Sequence, residues 1–128
     1  MDEPPSKDLI FHMCRADEWW QAEARGAYGG SSQDILDGFI HFSTGSQVME
    51  SAAKHRAGQS DLLLLGVDPE RLPAGTLKWE PSRGGQLFPH LYGPLPIDCA
   101  VHVAPLPLNE NGRHVFPDNL GIDLRGGL

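Results

Sequence analysis

The chain has 128 residues, a formal charge of -7 and a pI near 5.2. That length fits one domain, residues 1–128, with a core over about 8–104 and a turn-rich C-terminal extension over 105–128. Fifteen glycines and eleven prolines exclude a bundle of long helices, and an acidic balance with ten scattered Lys and Arg argues against a nucleic-acid partner.

The longest apolar run, Leu62 to Leu65, falls far short of the ~18 residues of a membrane span. The first residues, MDEPPSKD, lack the basic and apolar regions of a secretory signal. Cys14 and Cys99 lie far apart with no CxxC spacing, which predicts buried thiols in a cytoplasmic protein.

A loose lead-in is expected over residues 1–7. Leu9 to Cys14 then reads as a strand, with Ile10, His12 and Cys14 on one face and Leu9, Phe11 and Met13 on the other. Asp17 to Arg25 reads as a helix, with Asp17 as its cap, Gly26 as its stop, and Trp20 and Ala24 on a shared face. Ser32 to Asp37 fits one helical turn ended by Gly38. Gly38 to Thr44 is the second strand, whose alternation groups Phe39, His41 and Ser43.

The spacing Thr44-x-x-Gln47 matches a capping box and predicts a helix from about Ser46 to Ala57, with Val48, Met49, Ala52 and Ala53 as its apolar face. The unbroken leucines from Asp61 to Val67 predict a central strand. A turn starts at Pro69, and strands are expected over Thr76–Glu80, Leu87–Tyr92 and Ile97–Ala104. Long βαβ units are missing, so the fold class is α+β with mostly antiparallel pairing.

Three of the six histidines, His12, His41 and His90, lie inside strand segments. Histidine titrates near neutrality, so it suits acid–base work and ligand hydrogen bonding. His41 and Ser43 are two residues apart, as are His90 and Tyr92, so each pair points an imidazole and a hydroxyl to one face. Their separation of about 6.5–7 Å along a strand suits neighbouring oxygens of a ribose or phosphate, and is too long for His41 to activate Ser43 directly. Trp79 beside Glu80 could form an aromatic wall with a charge at its rim, as a flat-ring ligand needs. HExxH, HxH and CxxC patterns are absent, so no metal is expected.

The series LIFHM, GFIHFST, LLLLGVDPERL, KWEP and LFPHLYGPLP resembles the bacterial family called domain of unknown function 952, over about residues 8–104. That family is similar in fold to the ADP-ribosyltransferases and the RNA 2'-phosphotransferases. The resemblance implies small split β-sheets, mostly antiparallel, with two short helices and NAD held in the cleft between the sheets. It implies that His12 contacts the adenosine ribose, and that His41 and Ser43 lie on the second functional strand. His90 or Tyr92 falls in the third region, where transferases usually place a catalytic Glu. No clear Glu occurs there, and Glu80 is the nearby candidate.

The expected site therefore has His41, His90 and Glu80 as catalytic residues, with His12, Ser43, Tyr92, Trp79 and Arg15 as binding residues. The expected ligand is NAD or an ADP-ribose or 2'-phosphate nucleotide, and the expected reaction is group transfer at a ribose. Two other classes share these residues: a nucleotide-binding module without turnover, and an interaction protein whose histidines are structural.

Overall fold

The computed structural model describes residues 9–117; the lead-in over 1–7 and the end of the C-terminal extension lie outside them. The described chain runs β1 (Ile10–Arg15), α1 (Ala16–Arg25), β2 (Ala27–Tyr28), α2 (Ser32–Asp37), β3 (Ile40–His41), β4 (Ser43–Thr44) and α3 (Val48–His55). It continues with β5 (Leu62–Val67), β6 (Leu77–Pro81), β7 (Leu87–Leu91), β8 (Leu95–Pro96) and β9 (Ala100–Pro105). One sheet has the order β4-β1-β5-β9, a second has the order β3-β7-β6, and β2 pairs with β8. Every one of these ladders is antiparallel, so the fold is α+β with split sheets.

The leucine run of β5 is explained by burial on both faces of the four-stranded sheet. Leu62 and Leu64 pack with Phe11, Met13, Val48 and Ala52, beneath α3. Leu65 and Val67 pack on the other side with Ile10, Trp19, Tyr28, Ile40 and Leu91, a core shared with the second sheet. Each fully buried side chain of this size contributes roughly 1.5–3 kcal/mol of transfer free energy.

Helix α1 begins at Ala16 on Arg15, whose side chain makes no capping bond; Asp17 lies in the first turn and is not the cap. Its buried face is Trp19 and Ala22, while Trp20 and Ala24 face solvent. Gly26 ends α1 and Gly38 ends α2, both in the left-handed conformation that glycine adopts without strain.

The segment expected as one strand over Gly38–Thr44 is divided between the two sheets. β3 pairs with β7, and β4 pairs with β1. Between them the Phe42 N–H donates to the Pro89 carbonyl at 2.9 Å. Alternation along a strand fails here because the partner changes at Phe42.

Helix α3 is shorter than expected. Thr44 N–H donates to Gln47 Oε1 at 3.0 Å, but the Thr44 hydroxyl pairs with Ser46, so only half of the capping box forms. The helix buries Val48, Ser51 and Ala52 and leaves Met49 and Ala53 exposed. The strand expected over Ile97–Ala104 is a 3-10 turn, Ile97–Cys99, followed by β9. Of the C-terminal extension, Leu106 is buried beside β5, and His114 Nε2 lies 2.8 Å from the Gln59 carbonyl.

Candidate functional site

A cavity of about 580 Å³ lies between the two sheets, and β1, β3, β4, β7 and all three α-helices contribute to its wall. Ligand pockets usually measure about 300–1,000 Å³. His12, His41 and His90 all line it. The ring centroids of His41 and His90 are 5.6 Å apart, edge to face.

His12 is buried on the inner face of β1. Its Nδ1 lies 2.7 Å from the His41 carbonyl, which can only accept, so Nδ1 carries the proton. Its Nε2 then accepts from the Tyr28 hydroxyl at 2.9 Å. Burial holds its pKa below the usual histidine value; the nearby Asp34 charge and the His41 carbonyl oppose that effect, and Arg56 adds to it. His12 is therefore a neutral ring with both nitrogens engaged inside the protein.

Asp34 was not foreseen and stands at the centre of the site. Ser31 caps α2, its hydroxyl accepting from Asp34 N–H at 3.2 Å, and Asp34 Oδ2 accepts from Ser31 N–H at 2.8 Å. Asp34 Oδ1 accepts from His41 Nδ1 at 2.6 Å and from His41 N–H at 3.1 Å. Burial would raise the Asp34 pKa, but the His41 hydrogen bond, the electrostatic influence of the nearby His12 ring and the two backbone N–H bonds bring it down to about 2. Gly30 belongs to this arrangement: it has a φ of +101°, and a Cβ there would fall 2.7 Å from Asp34 Cβ.

His41 Nε2 lies 3.0 Å from Asp37 Oδ2, so each ring nitrogen faces a carboxylate.

His90 is positioned differently. Its Nδ1 donates to Glu80 Oε1 at 2.8 Å, and the Tyr92 hydroxyl donates to the same oxygen at 2.7 Å. These two bonds, His90 first, lower the Glu80 pKa, and the Glu80 bond raises that of Tyr92. Phe39 stacks on the His90 ring at 4.1 Å and 23°. The Nε2 of His90 has no partner among the described residues, and a proton on Nδ1 leaves a lone pair on that nitrogen.

The other expected residues are dispersed. Ser43 lines the cavity, but its Oγ pairs with Ser51 Oγ at 2.9 Å, away from His41. Arg15 lines the rim, largely exposed, with Asp17 at 3.4 Å and Glu18 at 4.0 Å. Trp79 pairs with Pro89 and stands on the opposite face of β6 from Glu80, outside the cavity wall. Tyr92 reaches the site only through Glu80 and Phe39.

Arg56 was also unforeseen. From the end of α3 its Nη2 donates to the Met13 carbonyl at 3.1 Å, and its Nη1 to Gln59 Oε1 at 3.1 Å. β4 covers β1 only at Ile10 and Phe11, so the edge of β1 beyond Phe11 is open to the cavity. Glu18 Oε1 is buried with no hydrogen-bond partner among the described residues. Cys14 is buried behind this wall, and burial pushes its thiol up to about 11, the range of an unreactive structural cysteine. Among the described residues no group of three or more His, Cys, Asp or Glu is placed to hold a metal ion, and no helix is long and apolar enough to cross a membrane.

Fold and site together define a small α+β protein with a histidine-lined polar cavity between two antiparallel sheets. The chain belongs to the family described as protein of unknown function (DUF952), whose profile matches residues 13–103. It is similar to protein CC0527 from Caulobacter crescentus, whose crystal structure has 45% identity and a TM-score of 0.84, covering 89% of this chain and 99% of that one. The solution NMR structure of CC0527 gives 45% identity and a TM-score of 0.77, covering 88% of this chain and 97% of that one. No curated protein matches the chain.

Proposed function

We propose that the cavity binds a nucleotide of the NAD or ADP-ribose type, 2'-phosphorylated forms included, and carries out group transfer at its ribose in an ADP-ribosyltransferase-like manner. The observation that carries this reading is His90 on the cavity wall, its ring fixed by Glu80 on Nδ1 and by Phe39 on its face, with Nε2 left unpartnered among the described residues. A neutral imidazole held this way takes a proton from an attacking hydroxyl. The residues present fit such a ligand. The partly exposed Asp37 carboxylate on the cavity wall can accept from a ribose hydroxyl, and the orphaned Glu18 oxygen needs the donor that a hydroxyl brings.

In NAD cleavage the bond from ribose C1' to nicotinamide breaks as a bond to the acceptor oxygen forms. The proton of that oxygen passes to His90 Nε2. A second reading, a binding module without turnover, is favoured by Glu80, whose Oε1 is already taken by His90 and Tyr92. Calorimetric titration with NAD, ADP-ribose and a 2'-phosphorylated nucleotide, followed by an assay of nicotinamide release, tests both. Heat with release supports transfer, and heat without release supports the module. No heat from any of the three rejects a nucleotide site.

A further inference from the structure

We infer that Arg56 forms the anion-binding pole of the cavity and receives the phosphoryl group of the ligand; this assignment rests on the nucleotide reading above. Three observations carry it. First, Arg56 lines the cavity, and no carboxylate among the described residues lies within ion-pair distance of it, although the chain carries a net charge of -7. In an acidic protein an arginine on a cavity wall has many opportunities for a counter-ion, and this one has none among the described residues.

Second, its two hydrogen bonds among the described residues go to neutral oxygens, the Met13 carbonyl and Gln59 Oε1. They fix the plane of the guanidinium without neutralising it, and they leave further N–H donors for a ligand. The Met13 contact also holds the group at the open edge of β1. A planar, fixed guanidinium is suited to bidentate contact with a phosphate.

Third, the Asp34 and Asp37 carboxylates occupy another part of the wall, and the Glu18 carboxylate, from α1, makes no ion pair with Arg56. Asp34 and Asp37 belong to α2, and His12 lies between the two poles, where it feels both Asp34 and Arg56. The cavity is therefore polarised, with hydroxyl acceptors at the α2 end and a cation at the α3 end. A ribose bearing a phosphate or diphosphate is matched to it, and an unphosphorylated nucleoside satisfies only one end.

The test uses the intact chain with inorganic pyrophosphate, ADP-ribose and adenosine as probes, in wild type and in Arg56→Met. Pyrophosphate should shift the Arg56 Nε–Hε resonance of the wild type, a readout that needs no variant to fold. Losing a hydrogen bond to a charged group should weaken ADP-ribose about 10- to 150-fold in Arg56→Met, while adenosine is unchanged. Arg56→Lys, which keeps the charge but not the fork, should fall between. Equal ADP-ribose affinity in wild type and Arg56→Met would overturn the anion pole and leave the nucleotide reading standing. A pyrophosphate shift at Arg56 without ADP-ribose binding would keep the pole and reject the nucleotide. With no shift and no binding, both are rejected.

Discussion

His90 donates its Nδ1 proton to Glu80 at 2.8 Å from the neighbouring strand, and that bond leaves Nε2 as the ring nitrogen without a partner among the described residues. The donor and acceptor lie on paired strands, β7 and β6, so backbone register holds the geometry rather than loop packing. The Tyr92 hydroxyl on the same carboxylate oxygen fixes the carboxylate in turn.

If His90 is the general base, His90→Gln should lower the rate of nicotinamide release about 10²- to 10⁴-fold. Nucleotide affinity should change much less. Glu80→Gln keeps the shape and removes the charge, so it should slow turnover by a smaller factor. Rate assays beside calorimetry separate the effects, and wild-type turnover in His90→Gln would remove the base from His90.

Acid should begin to destabilise the fold below pH 6.5 because of His12. Its folded-state pKa is held below the ordinary value of 6.5, chiefly by burial. The unfolded chain therefore takes up the proton first as the pH falls. The stabilising contribution is complete above 6.5 and is lost below it, with a slope of at most about 1.4 kcal/mol per pH unit for one proton. Urea denaturation of wild type and His12→Gln between pH 7.5 and 5 measures this. Identical slopes in the two proteins would show that another group dominates.

Asp34 acts in a lower window. Its pKa falls from 3.8 to about 2 on folding, with the hydrogen bond from His41 and those from the backbone outweighing burial. It contributes stability above about pH 4, of order 2 kcal/mol, and that contribution disappears as the pH falls from 4 to 2. Asp34→Asn should be less stable at neutral pH and should lack this second acid limb. A variant that loses stability in parallel with wild type below pH 4 would contradict the assignment.

Leu64 tests the two-sided sheet. It is 2% exposed, between Phe11 and the α3 residues Val48 and Ala52. Leu64→Ala should cost about 2–5 kcal/mol in a reversible melt. Leu87→Ala, at a side chain 52% exposed, should stay within about 0.5 kcal/mol. A loss below 1 kcal/mol at Leu64 would mean that β5 is not buried on both faces.

Much of the fold was legible where one local rule decided the outcome. The β5 leucines gave a central strand because both faces of that strand are covered, and Gly26 and Gly38 marked helix ends. The core positions Phe11, Ile40, Phe42, Leu62 and Leu64, read from strand alternation, are all buried. The division of Gly38–Thr44 was not legible, because nothing in its composition says that the pairing strand changes at Phe42. Trp79 was misplaced because a two-residue period puts it opposite Glu80, so the pair could not share one wall.

Asp34 had a usable signal, since Ser31-x-x-Asp34 has the spacing of a reciprocal cap. Its acidity alone reads as a solvated helix residue. Arg56 had none, because a basic residue at a helix end is expected from the helix dipole whether or not it reaches another strand.

The crossing at Phe42 also sets when the cavity can exist during synthesis. β3 reaches its hydrogen-bonded place only against β7, whose residues are 87–91, so His41 cannot meet His90 until that stretch has emerged. A chain that ends before β7 lacks His90 and the strand on which β3 pairs, and so lacks the histidine cluster. The cavity in this form therefore belongs only to chains extended past Leu91.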